Sequence, residues 1–173
     1  MRVWKTATVA LVAALMVSGC SGNDAPAPEP TPLFTSDEEA FAAAEETYRA
    51  YVDALNQVDL SDPETFEAVY AWTTGDANAG ERTNLSRMHA DEWRVAGESI
   101  VQGFEGVSAT EALVQALVCI DVSAVTLVDV DGTTQVGTDR PDLNNLSVQL
   151  VAGPSATGLQ ISTSNAVASG PCQ

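Results

Sequence analysis

Positive charge is scarce in this sequence. Lys and Arg together number 7 against 24 Asp and Glu, the formal net charge is −17, and the one lysine, Lys5, lies close to the N-terminus. Nucleic-acid binding depends on neutralising phosphates with Lys and Arg, so this composition argues against a nucleic-acid partner. An anionic membrane surface would also repel so acidic a chain, which means that electrostatic attraction does not hold the protein at a membrane.

The residue types that build metal and cofactor sites are also few. The chain has a single histidine, His89, and three cysteines, which are too few for the usual zinc sites if two cysteines pair. The acidic turn 129–132 does not have the spacing of a calcium loop, because Leu127 and Thr138 occupy two positions that need oxygen ligands. A glycine-rich phosphate loop and a nucleophile elbow are absent as well. We therefore predict no metal and no cofactor.

Long apolar runs are missing too. The most apolar stretch, residues 7–17, is shorter than the ~20 residues that span a bilayer as a helix. Arg2 and Lys5 precede this stretch, and small residues follow it. A charged start, an apolar centre and a small-residue exit are typical of an export signal that is removed from the mature protein. Residues 1–19 are therefore predicted to be a signal peptide.

The exit of this segment reads Val17-Ser18-Gly19-Cys20, which closely resembles the lipobox of bacterial lipoproteins. The resemblance implies cleavage before Cys20 and attachment of a diacylglyceryl group to its thiol. Two or more acyl chains hold a protein stably at a membrane, whereas one holds it only marginally. The expected location is the extracytoplasmic face of the cell membrane, with the membrane as a partner through the N-terminal lipid. The alternative is an ordinary signal peptide followed by a coincidental cysteine.

Residues 20–35 are predicted to be a tether between this lipidated cysteine and a folded domain. Alternate positions hold prolines, at Pro26, Pro28, Pro30 and Pro32. Such a segment buries too little apolar surface to fold alone. Alternating prolines favour an extended polyproline II conformation that reaches up to roughly 45 Å. The remaining residues, 36–173, match the size of one domain with its own core.

Two cysteines remain in this domain, Cys119 and Cys172. An even pair in an exported protein favours a disulfide, here between an apolar strand-like run and the C-terminal tail. The alternative is two unpaired structural thiols.

The order of periodic segments predicts helices first and strands afterwards. Ser36 and Glu39 have capping-box spacing and start a long amphipathic helix. A second helix starts at Asp62-Pro63 and ends at Gly75, and a third is expected over about 79–96. Period-two runs then predict strands at roughly 99–107, 112–122, 124–130, 146–152 and 158–164. The predicted fold class is α+β, with three N-terminal helices packed on a curved antiparallel sheet of about four to five strands.

This element order, together with "QALVCIDVSAVTLVDVDG" and the closing "GLQISTSNAVASGPC", resembles the NTF2-like cone fold found in small actinobacterial lipoproteins. The resemblance covers about residues 36–172 and implies a conical pocket between the sheet and the first helices. Members of that superfamily include dehydratases, isomerases and polyketide cyclases, and also non-catalytic binding or dimerising modules.

The candidate site residues are few. In the resembling enzymes an acid–base histidine works with a pocket carboxylate, so His89 and Asp121 are weak catalytic candidates, against a helix-surface histidine. Four aromatic residues could line a pocket for an apolar or lipid-like ligand, with core packing as the alternative: Tyr48, Tyr51, Trp72 and Trp93. Arg140 is interpreted as a loop residue in a salt bridge, or else as an anion contact.

Three functions remain open at this stage. The first is a non-catalytic module that binds a small apolar ligand or an envelope protein. The second is an NTF2-like enzyme of the isomerase or dehydratase type that uses a pocket histidine or carboxylate. The third is an envelope assembly factor that forms a homodimer through an exposed apolar face of its sheet.

Overall fold

The structure is a computed structural model and describes residues 33–172. The predicted signal peptide, Cys20 and the tether as far as Pro32 lie outside the described residues. Residues 32–173 form one compact unit, and this unit contains the whole of the described hydrophobic core. We therefore expect this unit to fold when it is produced without the preceding residues.

Helix α1 comprises Asp37–Asn56 and begins where the sequence predicts. Ser36 is its N-cap, and the Ser36 hydroxyl accepts a hydrogen bond from the Glu39 amide at 3.2 Å. Three acidic residues fill the first turn, where the helix dipole favours negative charge. The start of α1 can be predicted from the sequence because the capping residue, the acidic first turn and the spacing of the apolar residues all indicate the same helix.

The second predicted helix is much shorter in the structure. A 3₁₀ turn, Pro63–Thr65, follows the Asp62 cap, and helix α2 comprises only Phe66–Tyr70. Gly75 was predicted to end this helix, and that prediction is wrong, because Gly75 begins helix α3, Gly75–Ala90. Between them, Ala71 and Trp72 form a turn and Thr73 pairs with Ile161, whose carbonyl accepts from the Thr74 amide at 2.8 Å.

The predicted end of the third helix at about residue 96 is also wrong. Helix α3 ends at Ala90 in a Schellman motif, in which the Trp93 amide donates to the Met88 carbonyl and the Glu92 amide to the His89 carbonyl. Glu92 takes the left-handed conformation that this motif requires, with φ of 55°. Glycine usually fills that position, so the sequence carries no stop signal here.

Within residues 33–172, six strands follow the helices. They are β1 Arg94–Ala96, β2 Ile100–Ala109, β3 Val114–Asp121, β4 Thr126–Val128, β5 Leu143–Ala152 and β6 Leu159–Ala166. The four long strands make an antiparallel sheet in the order β2-β3-β5-β6, and β1 pairs antiparallel with β4 in a separate two-stranded sheet. The run predicted as a strand at 124–130 is thus shortened to three residues and does not join the large sheet.

The core lies between the helices and one face of the four-stranded sheet. On β3 the alternate residues Val114, Ala116, Val118 and Ile120 are buried, as the period of two predicts. Helix α1 contacts β2, β3 and β6, while α3 contacts β6. The α+β class is confirmed. No helix within residues 33–172 is long and apolar enough to cross a membrane.

The predicted disulfide is confirmed: Cys119 on β3 is bonded to Cys172, with 4.9 Å between their Cα atoms. The tail is also held by the Cys172 amide, which donates to the Asn145 side-chain oxygen at 2.8 Å. Pro171 lies against Gly103 of β2. The C-terminal tail therefore crosses the outer face of the sheet, opposite the helices.

Candidate functional site

An apolar groove of about 750 Å³ lies beside the two-stranded sheet. One wall consists of the C-terminal end of α1 and the inner side of α3, and the other consists of β1, β4 and the loop after β4. The apolar side chains that line it include Leu55, Leu85, Met88, Val95, Leu127 and Val136. This cavity, called the apolar groove below, has the volume and the apolar lining of ordinary small-molecule sites.

Three polar side chains that line the apolar groove, those of Asn56, Gln135 and Arg140, are bonded within the protein, whereas the Glu98 side chain is exposed. The Asn56 amide donates to the Ser99 carbonyl and accepts from the Ser99 amide, both at 2.9 Å. Gln135 donates to the Asp129 carboxylate at 2.9 Å. Among residues 33–172, no buried side-chain nitrogen or oxygen lacks a hydrogen-bond partner. The groove is therefore suited to hold hydrocarbon and presents no buried polar group that waits for a substrate.

Arg140, at the end of the apolar groove, does not form the salt bridge that the sequence predicts. Its guanidinium donates to the carbonyls of Val122 and Val125, at 2.8 and 3.0 Å. These two carbonyls belong to the tight turn that leads from β3 into β4. Arg140 thus fixes the turn that carries one wall of the groove. Between residues 33 and 172 the one ion pair joins Arg49 to Glu45.

A second depression of about 590 Å³ adjoins the apolar groove and shares Val58, Leu60 and Val95 with it. It is named here the polar depression, because its other lining residues include Asp59, Ser61, His89, Glu92, Trp93 and Arg94. The Nδ1 atom of His89 lies 2.7 Å from the Leu60 carbonyl oxygen, so this nitrogen carries the proton when the ring is neutral.

The two catalytic candidates lie on different elements. His89 is in the last turn of α3 and lines the polar depression, while Asp121 ends β3 and lines neither the groove nor the depression. The Asp121 carboxylate accepts from the Ser123 amide at 2.9 Å and from Gln102 at 3.3 Å. These bonds, chiefly those from Ser123, hold the pKa of Asp121 below its ordinary value. A joint catalytic role of the two residues stays a prediction without a contact to support it.

The four aromatic candidates do not line one common cavity either. Trp93 lines the polar depression, whereas Tyr48, Tyr51 and Trp72 line neither cavity and pack in or against the core. The Tyr51 hydroxyl donates to a Glu81 carboxylate oxygen at 2.6 Å, and the rings of Tyr48 and Tyr51 are 5.7 Å apart. Burial raises the pKa of both tyrosines above the ordinary value.

Sequence reasoning missed most of the apolar groove. Leu55 and Met88 belong to helices that were predicted, but nothing marks them apart from other core positions. Leu127 and Val136 line the groove only because β1 pairs with β4, and this pairing joins residues about thirty positions apart. A local pattern carries no signal for such a pairing.

We predict that Glu81→Gln makes the stability of the domain less dependent on pH. Burial raises the pKa of Glu81, so its neutral form is favoured in the folded state. The favourable contribution of Glu81 is complete below its unfolded-state pKa and is lost as the pH rises through the higher folded-state pKa. The glutamine keeps an acceptor for the Tyr51 hydroxyl. Urea unfolding at several pH values should show the variant gaining stability relative to the natural chain as pH rises from about 4 to about 8.

Glu67→Gln is the matched control for Glu81→Gln, because Glu67 is an exposed carboxyl on the neighbouring helix α2. We expect it to change the pH dependence little. If both substitutions alter the pH profile equally, burial of Glu81 is not the cause.

No protein-family model matches the chain, and no curated protein matches it significantly. Two solved structures resemble it with a TM-score of 0.50. One is a Novosphingobium aromaticivorans protein assigned as an aromatic ring hydroxylase, 14% identical, covering 75% of this chain and 94% of that chain. The other is the intermembrane space region of the chloroplast protein ARC6, 16% identical, covering 75% of this chain and 97% of that chain.

A third structure, the VirB8 protein of Agrobacterium tumefaciens, is 10% identical and covers 85% of this chain and 100% of that chain, with a TM-score of 0.41. Identities this low show the fold alone. The domain is of the α+β class and is similar in fold to NTF2-like cone proteins such as the Novosphingobium aromaticivorans protein. Within residues 33–172, no group of three His, Cys, Asp or Glu side chains is placed to hold a metal ion.

Proposed function

We propose that this protein is a membrane-anchored, non-catalytic binding module that takes an elongated apolar ligand in the apolar groove. The observation that carries the proposal is a groove of about 750 Å³ that is lined largely by apolar side chains, while among the described residues no buried side-chain nitrogen or oxygen lacks a hydrogen-bond partner. Such a site gains affinity by removing hydrocarbon from water, about 0.8 kcal/mol for each buried methylene. Affinity should therefore rise with the length of an alkyl chain until the groove is full.

The charge of the protein limits the ligand further. A formal net charge of −17 disfavours anions throughout the domain. Arg140, the cation that lines the apolar groove, is bonded to two backbone carbonyls. The part of the ligand that occupies the groove is therefore an uncharged chain and not a fatty-acid carboxylate.

Anchoring through a lipid on Cys20 is the second part of the proposal, and it is supported by the sequence Val17-Ser18-Gly19-Cys20. The position of the groove agrees with it. The chain enters the domain at the N-terminal end of α1, whereas Leu55 and Asn56 bring the C-terminal end of α1 into the groove. A helix of 20 residues is about 30 Å long, so the groove opens far from the point where the tether arrives. Mass spectrometry of the mature N-terminus tests this part, and an unmodified Cys20 would refute it.

The ligand site is tested by substitution of Val136, a loop residue that lines the apolar groove. Val136→Trp fills the groove and displaces roughly two methylenes of ligand, which corresponds to about a tenfold loss of affinity. Titration calorimetry of residues 32–173 with 1-decanol measures this loss. Octanol and decanol should differ in affinity in the natural domain.

Val130→Trp is the matched control, because Val130 lies in the same loop region, is 54% exposed and does not line the groove. It should leave decanol affinity unchanged. Equal affinity of the Val136→Trp variant and the natural domain, or no binding of either alcohol, contradicts the proposal.

The enzyme alternative has less support. The polar depression includes His89, but the predicted carboxylate partner, Asp121, does not line it. His89 is solvent-exposed at the end of α3, and its Nδ1 is bonded to a backbone carbonyl. General acid–base catalysis of the family type needs a histidine and carboxylate that converge on one substrate position.

The homodimer alternative also has less support. On the outer face of the sheet, Leu117 of β3 is flanked by Glu105 of β2 and Ser147 of β5, and Gln115 lies beside Gln149. The tail that ends at the disulfide crosses this face. Stable interfaces bury a well-packed apolar centre, which this polar and partly covered face does not offer among the described residues.

A further inference from the structure

The apolar groove adjoins the polar depression at β1. Val58, Leu60 and Val95 line both the groove and the polar depression, so the two cavities meet at these three side chains. The two cavities therefore lie side by side, one apolar and the other polar. A ligand that fills both must therefore be amphiphilic.

The polar depression offers both hydrogen-bond donors and acceptors. The Asp59 carboxylate accepts from the Ser61 amide and hydroxyl through one oxygen, at 2.8 and 2.7 Å, and its other oxygen has no partner among the described residues. With Nδ1 of His89 committed to the Leu60 carbonyl, Nε2 is the ring nitrogen left to meet a ligand. Arg94 makes one long bond, 3.4 Å from its Nη2 to the Asp129 carbonyl, so its guanidinium has further donors.

Charges of both signs line the polar depression. They are the carboxylates of Asp59 and Glu92 and the guanidinium of Arg94. A second guanidinium lies beside the depression, because that of Arg87 is 5.2 Å from the centre of the Trp93 ring. A cationic head group would meet Arg94. An anionic one would meet the two carboxylates and the net negative charge of the whole chain. An uncharged head with several hydroxyl groups can donate to the carboxylates and to Nε2 of His89, and can accept from Arg94, at once.

We propose that the ligand is an uncharged amphiphile whose alkyl tail lies in the apolar groove and whose hydroxyl-rich head, of the sugar or polyol type, lies in the polar depression. The tail position rests on the proposed function, and the head position is new. The head adds affinity through hydrogen bonds and a contact with the exposed part of Trp93. The tail adds affinity because its hydrocarbon is removed from water.

The test compares ligands with the same decyl tail and different heads, each below its critical micelle concentration. Titration calorimetry on residues 32–173 measures affinity for 1-decanol, decyl maltoside, decyltrimethylammonium and decyl sulfate. We expect decyl maltoside to bind at least about fivefold more tightly than decanol, the value of roughly one net hydrogen bond, and the two charged ligands to bind more weakly than decyl maltoside. Equal binding of decanol and decyl maltoside overturns the head position but leaves the proposed function standing. A lack of binding by all four overturns both.

Two variants locate the head. Arg94→Gln removes the guanidinium at an exposed position, and His89→Asn keeps a donor near the Leu60 carbonyl but removes Nε2. Each should weaken decyl maltoside roughly two- to tenfold and leave decanol unchanged. Val136→Trp is the crossed control and should weaken both ligands. If Arg94→Gln and His89→Asn leave decyl maltoside affinity intact, the polar depression does not bind the head.

Discussion

Removal of the Cys119–Cys172 disulfide is expected to lower the free energy of unfolding by about 4 kcal/mol. The two cysteines are separated by 53 positions, so the bond closes a long loop and restricts the unfolded chain strongly. It also fixes the tail across the sheet at Cys119, which is 2% exposed. Urea unfolding of the Cys119→Ala/Cys172→Ala variant against the oxidised natural domain measures the difference. Since small domains are stable by only about 5–15 kcal/mol, the variant should be close to unfolding at 37 °C.

The tail makes contacts besides the disulfide, so its own contribution must be separated. Deleting residues 171–173 in the double-alanine variant removes the contact of Pro171 with Gly103 and the bond from residue 172 to Asn145. We expect this deletion to cost little more, because a tail without its covalent bond frays. A double-alanine variant within about 1 kcal/mol of the natural domain would show that the bond does not stabilise the fold in this way.

The features that sequence reasoning recovered are those encoded locally. The start of α1 combines a capping serine with acidic first-turn residues, and both act within four positions. The buried face of β3 follows from strict alternation, since side chains on a strand point to opposite sides in turn. The disulfide follows from counting cysteines in a protein that the sequence predicts to be exported.

The features that were missed depend on contacts distant in sequence. Glu92 ends α3 in a conformation that glycine usually takes, and the chain that leaves the helix there becomes β1 instead of a further turn. β1 then pairs with β4, and this pairing creates the wall of the apolar groove. Arg140 was assigned to a salt bridge because the chain is acidic, but two backbone carbonyls hold it. The wall of the apolar groove thus depends on where α3 ends, and the sequence does not mark that position with a glycine.

Gly97→Ala is expected to disrupt that wall, with a loss of about 2–5 kcal/mol in the free energy of unfolding. Gly97 follows β1 and has φ of +85°, a conformation that costs a residue with a side chain about 1–2 kcal/mol. A Cβ atom at this position would lie 1.9 Å from the backbone oxygen of Ala124, in the turn that leads into β4. One of the two segments must therefore move, and β1 would separate from β4. Urea unfolding measures the stability, and titration with 1-decanol should show at least about a tenfold loss of affinity, as for other losses of groove contacts.

Gly132→Ala separates the two causes of this effect. Gly132 also has a positive φ, +80°, but a Cβ atom there would meet nothing within 4 Å. The free energy of unfolding of this variant should fall only by the cost of a positive φ for a residue with a side chain, about 1–2 kcal/mol. The variant should keep its affinity for decanol. The difference between the two alanine variants then measures the clash with Ala124, which acts on the groove wall itself. If Gly97→Ala matches Gly132→Ala in both stability and decanol affinity, the close contact between β1 and the 122–125 turn does not maintain the groove.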